Sequence, residues 1–417
     1  MKRNFLTGFL SGIIGAIFLF AAVGVTYIAF NDDTGKQNKG RENVSTAQDN
    51  ENNTDREESY DEIVEKLMVL EEVIDTYYLD EVDRDAFATG IYKGFISSLD
   101  DPYSMYYTKA EYANVIESSS GIYQGIGAVV SQDVKTGIIT IVRPYKDGPA
   151  YNAGLLPDDI IYKVEGEEVT GEDLSEVVSK IKGKEGTKVN ITIYRDGVAD
   201  PMDFTLERKK INIPTIEYEM LEDDIGYILI YEFDSITISQ FSNALKALEK
   251  MGMKGLIVDV RDNPGGLLDS VVKILDRLLP RGLIVYTEDK YKNRTEENAK
   301  NPDKFDQPIV VLINGNSASA SEIFAGALQD YEKATIVGTT TFGKGIVQRI
   351  LPLSDGTALK LTVSKYFTPK GRNIHGTGIE PDIEVELSED LKQLVTIPRD
   401  DDNQLQKAIE VLKDKMN

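Results

Sequence analysis

Few residues in this 417-residue chain can do covalent or acid–base chemistry, and three stretches hold the notable ones. Arg261-Asp262-Asn263-Pro264-Gly265-Gly266 follows the apolar run Leu256 to Val260. Asn314-Gly315-Asn316-Ser317-Ala318-Ser319-Ala320-Ser321-Glu322 follows Ile309 to Ile313. Each loop leads into a helical pattern, so Ser319 falls at a helix start, where unpaired N–H groups and the helix dipole favour negative charge. The N–H of Ala320, with one from Gly265 or Gly266, would form a two-donor oxyanion hole, since glycine lets backbone approach a substrate closely. Ser319-x-x-Glu322 is equally a capping box, and the residues alone leave Ser319 as a cap or a nucleophile.

With no cysteine and one histidine, His375, the chain is barred from thiol nucleophiles, disulfides and three-histidine metal sites. A serine nucleophile therefore needs His375 or another base, and a lysine serves if an apolar site leaves it neutral. Lys344, in Gly343-Lys344-Gly345-Ile346-Val347-Gln348, is one candidate; strand alternation would put Lys344, Ile346 and Gln348 on one face. The stretch 338–345 also has P-loop spacing, but Gly345 stands where the loop needs Ser or Thr for magnesium, which argues against a nucleotide site.

The elements that must position these residues alternate in kind. From Ile211 onward, Ile225 to Ile230, Leu256 to Val260, Leu283 to Val285 and Ile309 to Ile313 read as buried strands. Ile238 to Met251 and Leu267 to Leu279 read as helices, which together give an α/β layer structure with sites beyond the strand ends. Residues 118–208 read instead as short strands and two helices. Gly127 to Ser131, Ile138 to Val142 and Ile160 to Val164 are strands, and Ala150 to Ala153 is a short helix stopped at Gly154. A second helix carries Leu174, Val177, Val178 and Ile181 after the capping-box pair Thr170 and Asp173, and a hairpin turns at Asp196-Gly197. Residues 60–117 read as a helical module whose apolar set Ile63, Leu67, Leu70 and Ile74 could pack on the same chain or on a second copy.

Composition bounds the setting. The 46 basic and 70 acidic side chains leave a net charge of −24, with no electrostatic footprint for nucleic acid. Phe5 to Phe30 carries no charge and is about 39 Å long as a helix, enough to span a bilayer. Lys2 and Arg3 before it and Asp32 and Asp33 after it place the N-terminus in the cytoplasm and the rest outside. A cleaved signal peptide is the competing reading, disfavoured by the length of the run and the lack of an A-x-A site. Residues 32–59 are polar throughout and read as a flexible spacer.

Residues 118–208 resemble a PDZ domain, with Gly125-Ile126-Gly127-Ala128 at the family's carboxylate-binding loop and 148–155 matching its helix-and-turn signature. Taken without that signature, Gly125 and Gly127 are an ordinary tight turn. The Ser-Ala-Ser-Ala-Ser-Glu-Ile run at 317–323, Arg-Asp-Asn-Pro-Gly-Gly at 261–266 and Gly-Lys-Gly-Ile-Val-Gln at 343–348, behind a PDZ, resemble the carboxy-terminal processing proteases, the tail-specific S41 peptidases. The resemblance implies Ser319 as nucleophile, Lys344 as base, Gln348 steadying the lysine, and no metal or nucleotide. It also implies an α/β serine-protease core of the ClpP/crotonase-like kind over 209–400, followed by a C-terminal helix over 401–417. Protein C-terminal tails are the implied substrates, with a homo-oligomer or a regulatory partner possible. Lys182 stands where many relatives have an arginine, which in some of them helps couple the PDZ domain to the active site; lysine there leaves that coupling open. The alternative from another class is a PDZ adaptor with an inactive core.

Overall fold

The computed structural model describes residues 59–301, 305–391 and 397–416. The proposed membrane segment at 5–30 and all but the last residue of the spacer lie outside them. No helix among the described residues is long and apolar enough to cross a membrane. The chain divides into two compact units between Leu99 and Asp100.

The first unit holds helices Tyr60–Tyr77 and Arg84–Ser97, capped by Ser59 and Asp83. Arg84 pairs with Glu71 and, at 2.6 Å, with Asp75. Of the apolar set read from the sequence, Ile63 and Leu70 are exposed while Leu67 and Ile74 are half-buried. Residues 100–117, read with the helical module from sequence, belong to the second unit. Met105–Tyr107 is a strand paired with Ala358–Phe367, a partner some 250 residues away that no local pattern announces.

The second unit is mixed α/β. Its main sheet runs in the order Ile216–Met220, Ile225–Ile230, Gly255–Asp259, Ile309–Ile313, Ala334–Gly338, Ile383–Glu384, parallel except at the first pair. Ile309–Ile313 is buried throughout, as a strand covered on both faces must be. Successive side chains go to opposite faces. Ile228, Leu256, Val258, Ile309 and Val311 join Phe241, Leu275 and Phe324 of helices Thr237–Lys250, Leu268–Leu278 and Ala320–Asp330. Tyr227, Ile257, Val310 and Leu312 meet Leu405, Ala408 and Leu412 of the last helix, Asn403–Met416. A second sheet holds Met105–Tyr107, Ala358–Phe367, Gly282–Asp289 and Arg294–Ala299, with Ile346–Pro352 also paired to Ala358–Phe367.

Between Ile122–Gly125 and Lys209–Asn212, which pair antiparallel, lies a sheet ordered Ala128–Gln132, Ile139–Pro144, Ile160–Val164, Lys188–Tyr194, Met202–Glu207. Helix Leu174–Ile181 buries Val177 and Ile181 in the core of this segment, with Ile141, Val164, Ile191 and Leu206. Its N-cap is Asp173, which accepts from Ser175 N–H, and not Thr170 as the capping-box spacing suggested. The chain between Thr170 and Asp173 turns at Gly171, φ +84°, so the helix cannot start earlier.

Candidate active site

Three loops leave the carboxyl ends of adjacent parallel strands: 260–267 after Gly255–Asp259, 314–319 after Ile309–Ile313, and 339–345 after Ala334–Gly338. Hydrogen bonds lock the first two together. Ser317 Oγ donates to the Val260 carbonyl (2.7 Å), Ser321 Oγ to the Asn263 carbonyl (2.9 Å), and Ala318 N–H to that same carbonyl (3.0 Å). Ser317 and Ser321 are fully buried braces. Ser319, between them, is half-buried and lines a pocket with Gly266, Leu268, Ile346, Gln348 and Tyr366. Geometry thus gives Ser317 and Ser321 a bracing role that Ser319 does not share.

Ser319 sits at φ +54°, ψ −110°, a conformation that costs a non-glycine residue about 1–3 kcal/mol and persists only when its surroundings impose it. The Ser319 N–H donates to a Glu322 carboxylate oxygen (2.8 Å), and the Ser319 carbonyl accepts from Glu322 N–H (2.9 Å) and from the Tyr366 hydroxyl (3.0 Å).

Gly265 passes so close that a Cβ there would lie 2.9 Å from both Ser319 Cβ and Ala320 N. The Gly265 N–H donates to Asn263 Oδ1 (2.9 Å) and so faces away from any substrate. The carbonyl of Gly265 accepts from Phe233 N–H (2.8 Å), while Gly266 bridges to Phe233 and lines the pocket. Of the two glycines considered, Gly266 is the one whose N–H is left to act beside that of Ala320.

Lys344 is 2% exposed. Ile346 and Gln348 are buried on either side of half-buried Val347, as strand alternation predicts, but Lys344 precedes the strand Ile346–Pro352 and is not part of it, so alternation does not explain its burial. The lysine is held through its backbone: Lys344 N–H (2.8 Å), Gly343 N–H (2.7 Å) and Thr341 Oγ1 (2.6 Å) all donate to Glu322. The carboxylate that grips Ser319 therefore also grips the lysine loop. Burial pushes the Glu322 carboxyl up, and these hydrogen bonds oppose that rise.

Lys344 Nζ has no hydrogen-bond partner and lies 4.5 Å from the centre of the Tyr103 ring. Burial first, then the Lys360 ammonium, lower its pKa to about 8, against the pull of Glu322 and Asp101. Gln348 does not reach it; Gln348 Nε2 donates to Thr362 Oγ1 (3.2 Å). The ring of Tyr103, the charge of Lys360 and the three further bonds of Glu322 were invisible to sequence reasoning. The Asp-Asp-Pro-Tyr-Ser run at 100–104 was the available signal, a turn-forming stretch that belongs to no helix of the module before it.

Gly345 does not serve a phosphate: a Cβ there would sit 2.5 Å from His375 N, so glycine is required for the chain to pass. His375 itself is exposed. In the 118–208 segment, the carbonyls of Ile126 and Gly127 accept from Ala150 N–H (2.8 Å) and Tyr145 N–H (2.9 Å), so the loop Gly125 to Ala128 is built into the domain. The Tyr123 ring folds onto Gly125, with Lys182 Nζ 5.2 Å from its centre and paired to Glu117. Strand Ala128–Gln132 ends its sheet, leaving one edge open.

A serine held in a strained conformation at a helix start, with the N–H groups of Gly266 and Ala320 and a buried lysine in the neighbouring loops, is the chemistry that a serine-type hydrolase requires. Comparison with known proteins carries the assignment further. Residues 224–385 match Peptidase family S41, 140–195 a PDZ domain, and 19–111 the Activating protease CtpB N-terminal domain. The carboxy-terminal processing protease CtpA of Bacillus subtilis is 40% identical over 325 residues, 78% of this chain and 69% of that one. A probable CtpA-like serine protease of Staphylococcus saprophyticus is 39% identical over 329 residues, 78% of this chain and 66% of its own length. Among solved structures, a photosystem II D1 C-terminal processing protease is 28% identical at a TM-score of 0.46, covering 76% of this chain and 86% of its own. The chain belongs to peptidase family S41, among the serine-type carboxy-terminal processing proteases, and carries a PDZ domain.

Proposed function

We propose that the protein is an endopeptidase that holds the C-terminal tail of a substrate on its PDZ domain and cleaves upstream through an acyl-enzyme on Ser319. Lys344 Nζ, neutral, takes the Ser319 proton as Oγ attacks the scissile carbonyl. The developing oxyanion is met by the N–H groups of Gly266 and Ala320. The lysine then gives the proton to the departing amine, and in the second half-reaction takes one from the water that releases the acyl group. The Lys344–Ser319 hydrogen bond is absent in the free enzyme and forms as substrate enters the pocket; such bonds commonly tighten only in the complex. Gln348 lines the same pocket and steadies the lysine once Nζ has moved toward Ser319.

The observation that carries this reading is the single buried carboxylate, Glu322, binding the backbone of both Ser319 and Lys344. The test is cleavage of an unfolded tail by the wild type, Ser319→Ala and Lys344→Ala. Loss of at least about 10³-fold in each variant is expected, and normal turnover in both sinks the mechanism.

The core is a ClpP/crotonase-like layer structure in this reading. The charge-free segment Phe5 to Phe30 is a membrane anchor with the catalytic part outside the cytoplasm. Digestion of intact cells with an external protease should degrade the catalytic part, and full protection would refute this placement.

A further inference from the structure

A second lysine is buried near the first. Lys360 is 6% exposed and lies on Ala358–Phe367, opposite Met105 of the short strand Met105–Tyr107. Paired residues in an antiparallel ladder put their side chains on the same face, as do residues two apart. Lys360 therefore shares a face with Met105 and Tyr107, and its Nζ lies 5.8 Å from the Tyr107 ring centre. Lys344 Nζ docks on Tyr103, at the other end of the same strap. Two residues along from Lys360, Thr362 accepts from Gln348 Nε2, and its N–H donates to Ser104 Oγ (3.1 Å). Asp101 accepts from Ser104 Oγ (2.6 Å) and Tyr103 N–H (3.1 Å). Segment 101–107 is thus a lid of two aromatic rings and one carboxylate over two buried ammonium groups.

We infer that Lys360 is a positioning residue of the Ser319–Lys344 pair: buried under the same strap, Lys344 beneath Tyr103 and Lys360 beneath Tyr107, it sets the charge environment in which Lys344 works, with Asp101 of the strap as the counter-charge. The inference rests on the reading of Lys344 as base. The charged groups that act on Lys344 are Lys360, Glu322 and Asp101, with the Tyr103 ring packed over it. Lys360 disfavours the Lys344 proton and the two carboxylates favour it. Burial pushes Lys360 down as well, while the Asp101 carboxylate opposes that fall. Burial also pushes the Asp101 carboxyl up, but its hydrogen bonds with Ser104, Thr362 and Tyr103 N–H outweigh that and keep it ionised.

The experiment is the pH profile of kcat/KM for the full chain and three variants. Lys360→Met moves the acid limb to higher pH, so the rate at pH 7 falls about three- to tenfold while the alkaline plateau stays within about twofold. Lys360→Arg keeps the limb where the wild type has it. Asp101→Asn moves it to lower pH, and these opposite shifts are a signature that a loss of packing cannot imitate. A limb that stays put in Lys360→Met, whatever the plateau does, overturns the inference. Should Lys360→Met fail to fold, Lys360→Gln takes its place, and a limb that stays put in that folded neutral variant overturns the inference equally. Direct titration of Lys344 by carbon-13 NMR of Ser319→Ala protein, with and without Lys360→Met, reads the same coupling without turnover. Activity retained in Lys344→Ala would refute the base assignment, while the NMR shift would still test Lys360.

Discussion

If Lys344 is the base proposed above, a catalytic requirement opposes stability at a single residue. Its native pKa of about 8 lies below the ordinary lysine value of 10.5. Below pH 8 both the folded and unfolded chains hold the proton, and the full penalty of burying it, about 3 kcal/mol, weighs on the fold. Between pH 8 and 10.5 the unfolded chain binds the extra proton, so stability rises with pH until the penalty is gone. Lys344→Met removes the charge and fills the same space. It should raise the urea midpoint at pH 7, by up to about 3 kcal/mol in unfolding free energy, while abolishing cleavage. In the wild type, kcat/KM should fall about tenfold per pH unit below 8, as the neutral base is lost.

At the scale of elements, the loop 260–267, which carries the proposed oxyanion donor Gly266, tolerates little change. Gly266 has φ +135°, and a Cβ on it would lie 2.5 Å from the Phe233 carbonyl oxygen. Gly266→Ala should cost about 1–3 kcal/mol of stability from backbone strain. It should also lower kcat more than it changes KM, because the displaced N–H serves the transition state and not the ground state. Chemical denaturation and steady-state kinetics on one preparation separate the two effects; an unchanged kcat would remove Gly266 from the oxyanion hole.

For the molecule as a whole, the last helix reaches back to the active-site loop. Arg261 is held between Asp259 and Asp402, with Nη2 2.6 Å and 2.7 Å from their carboxylates, and Nη1 3.0 Å from Gln404 Oε1. Asp402→Ala leaves a buried guanidinium short of a partner, a change worth about 3–5 kcal/mol. Thermal unfolding should show that loss, and activity should fall with it because Arg261 opens the loop that carries Gly266. The proposed capture of tails by the loop Gly125 to Ala128 would require a free carboxylate. Amidating a substrate's C-terminus should therefore slow processing several-fold, and equal rates for acid and amide would dismiss the carboxylate-loop reading.

What the sequence determined by itself was local: the strands Ile225–Ile230 and Ile309–Ile313 to the residue, the loops that follow them, the helix start at Ser319, and an inventory that left few bases besides lysine. These depend on side-chain period and turn chemistry over a few neighbours. Only the tertiary structure decided which serines are braces, which of the two loop glycines has its N–H bonded to Asn263, and why the Lys344 pKa falls. Glu322 joins Ser319 to a loop 22 residues on, and Ser104 meets Thr362 across 258. Contacts of that separation carry no periodic trace in the chain. Burial of Lys344 beneath Tyr103 arises only when the strap of residues 101–107 docks on the second sheet, because a lysine's charge state follows from what excludes water around it.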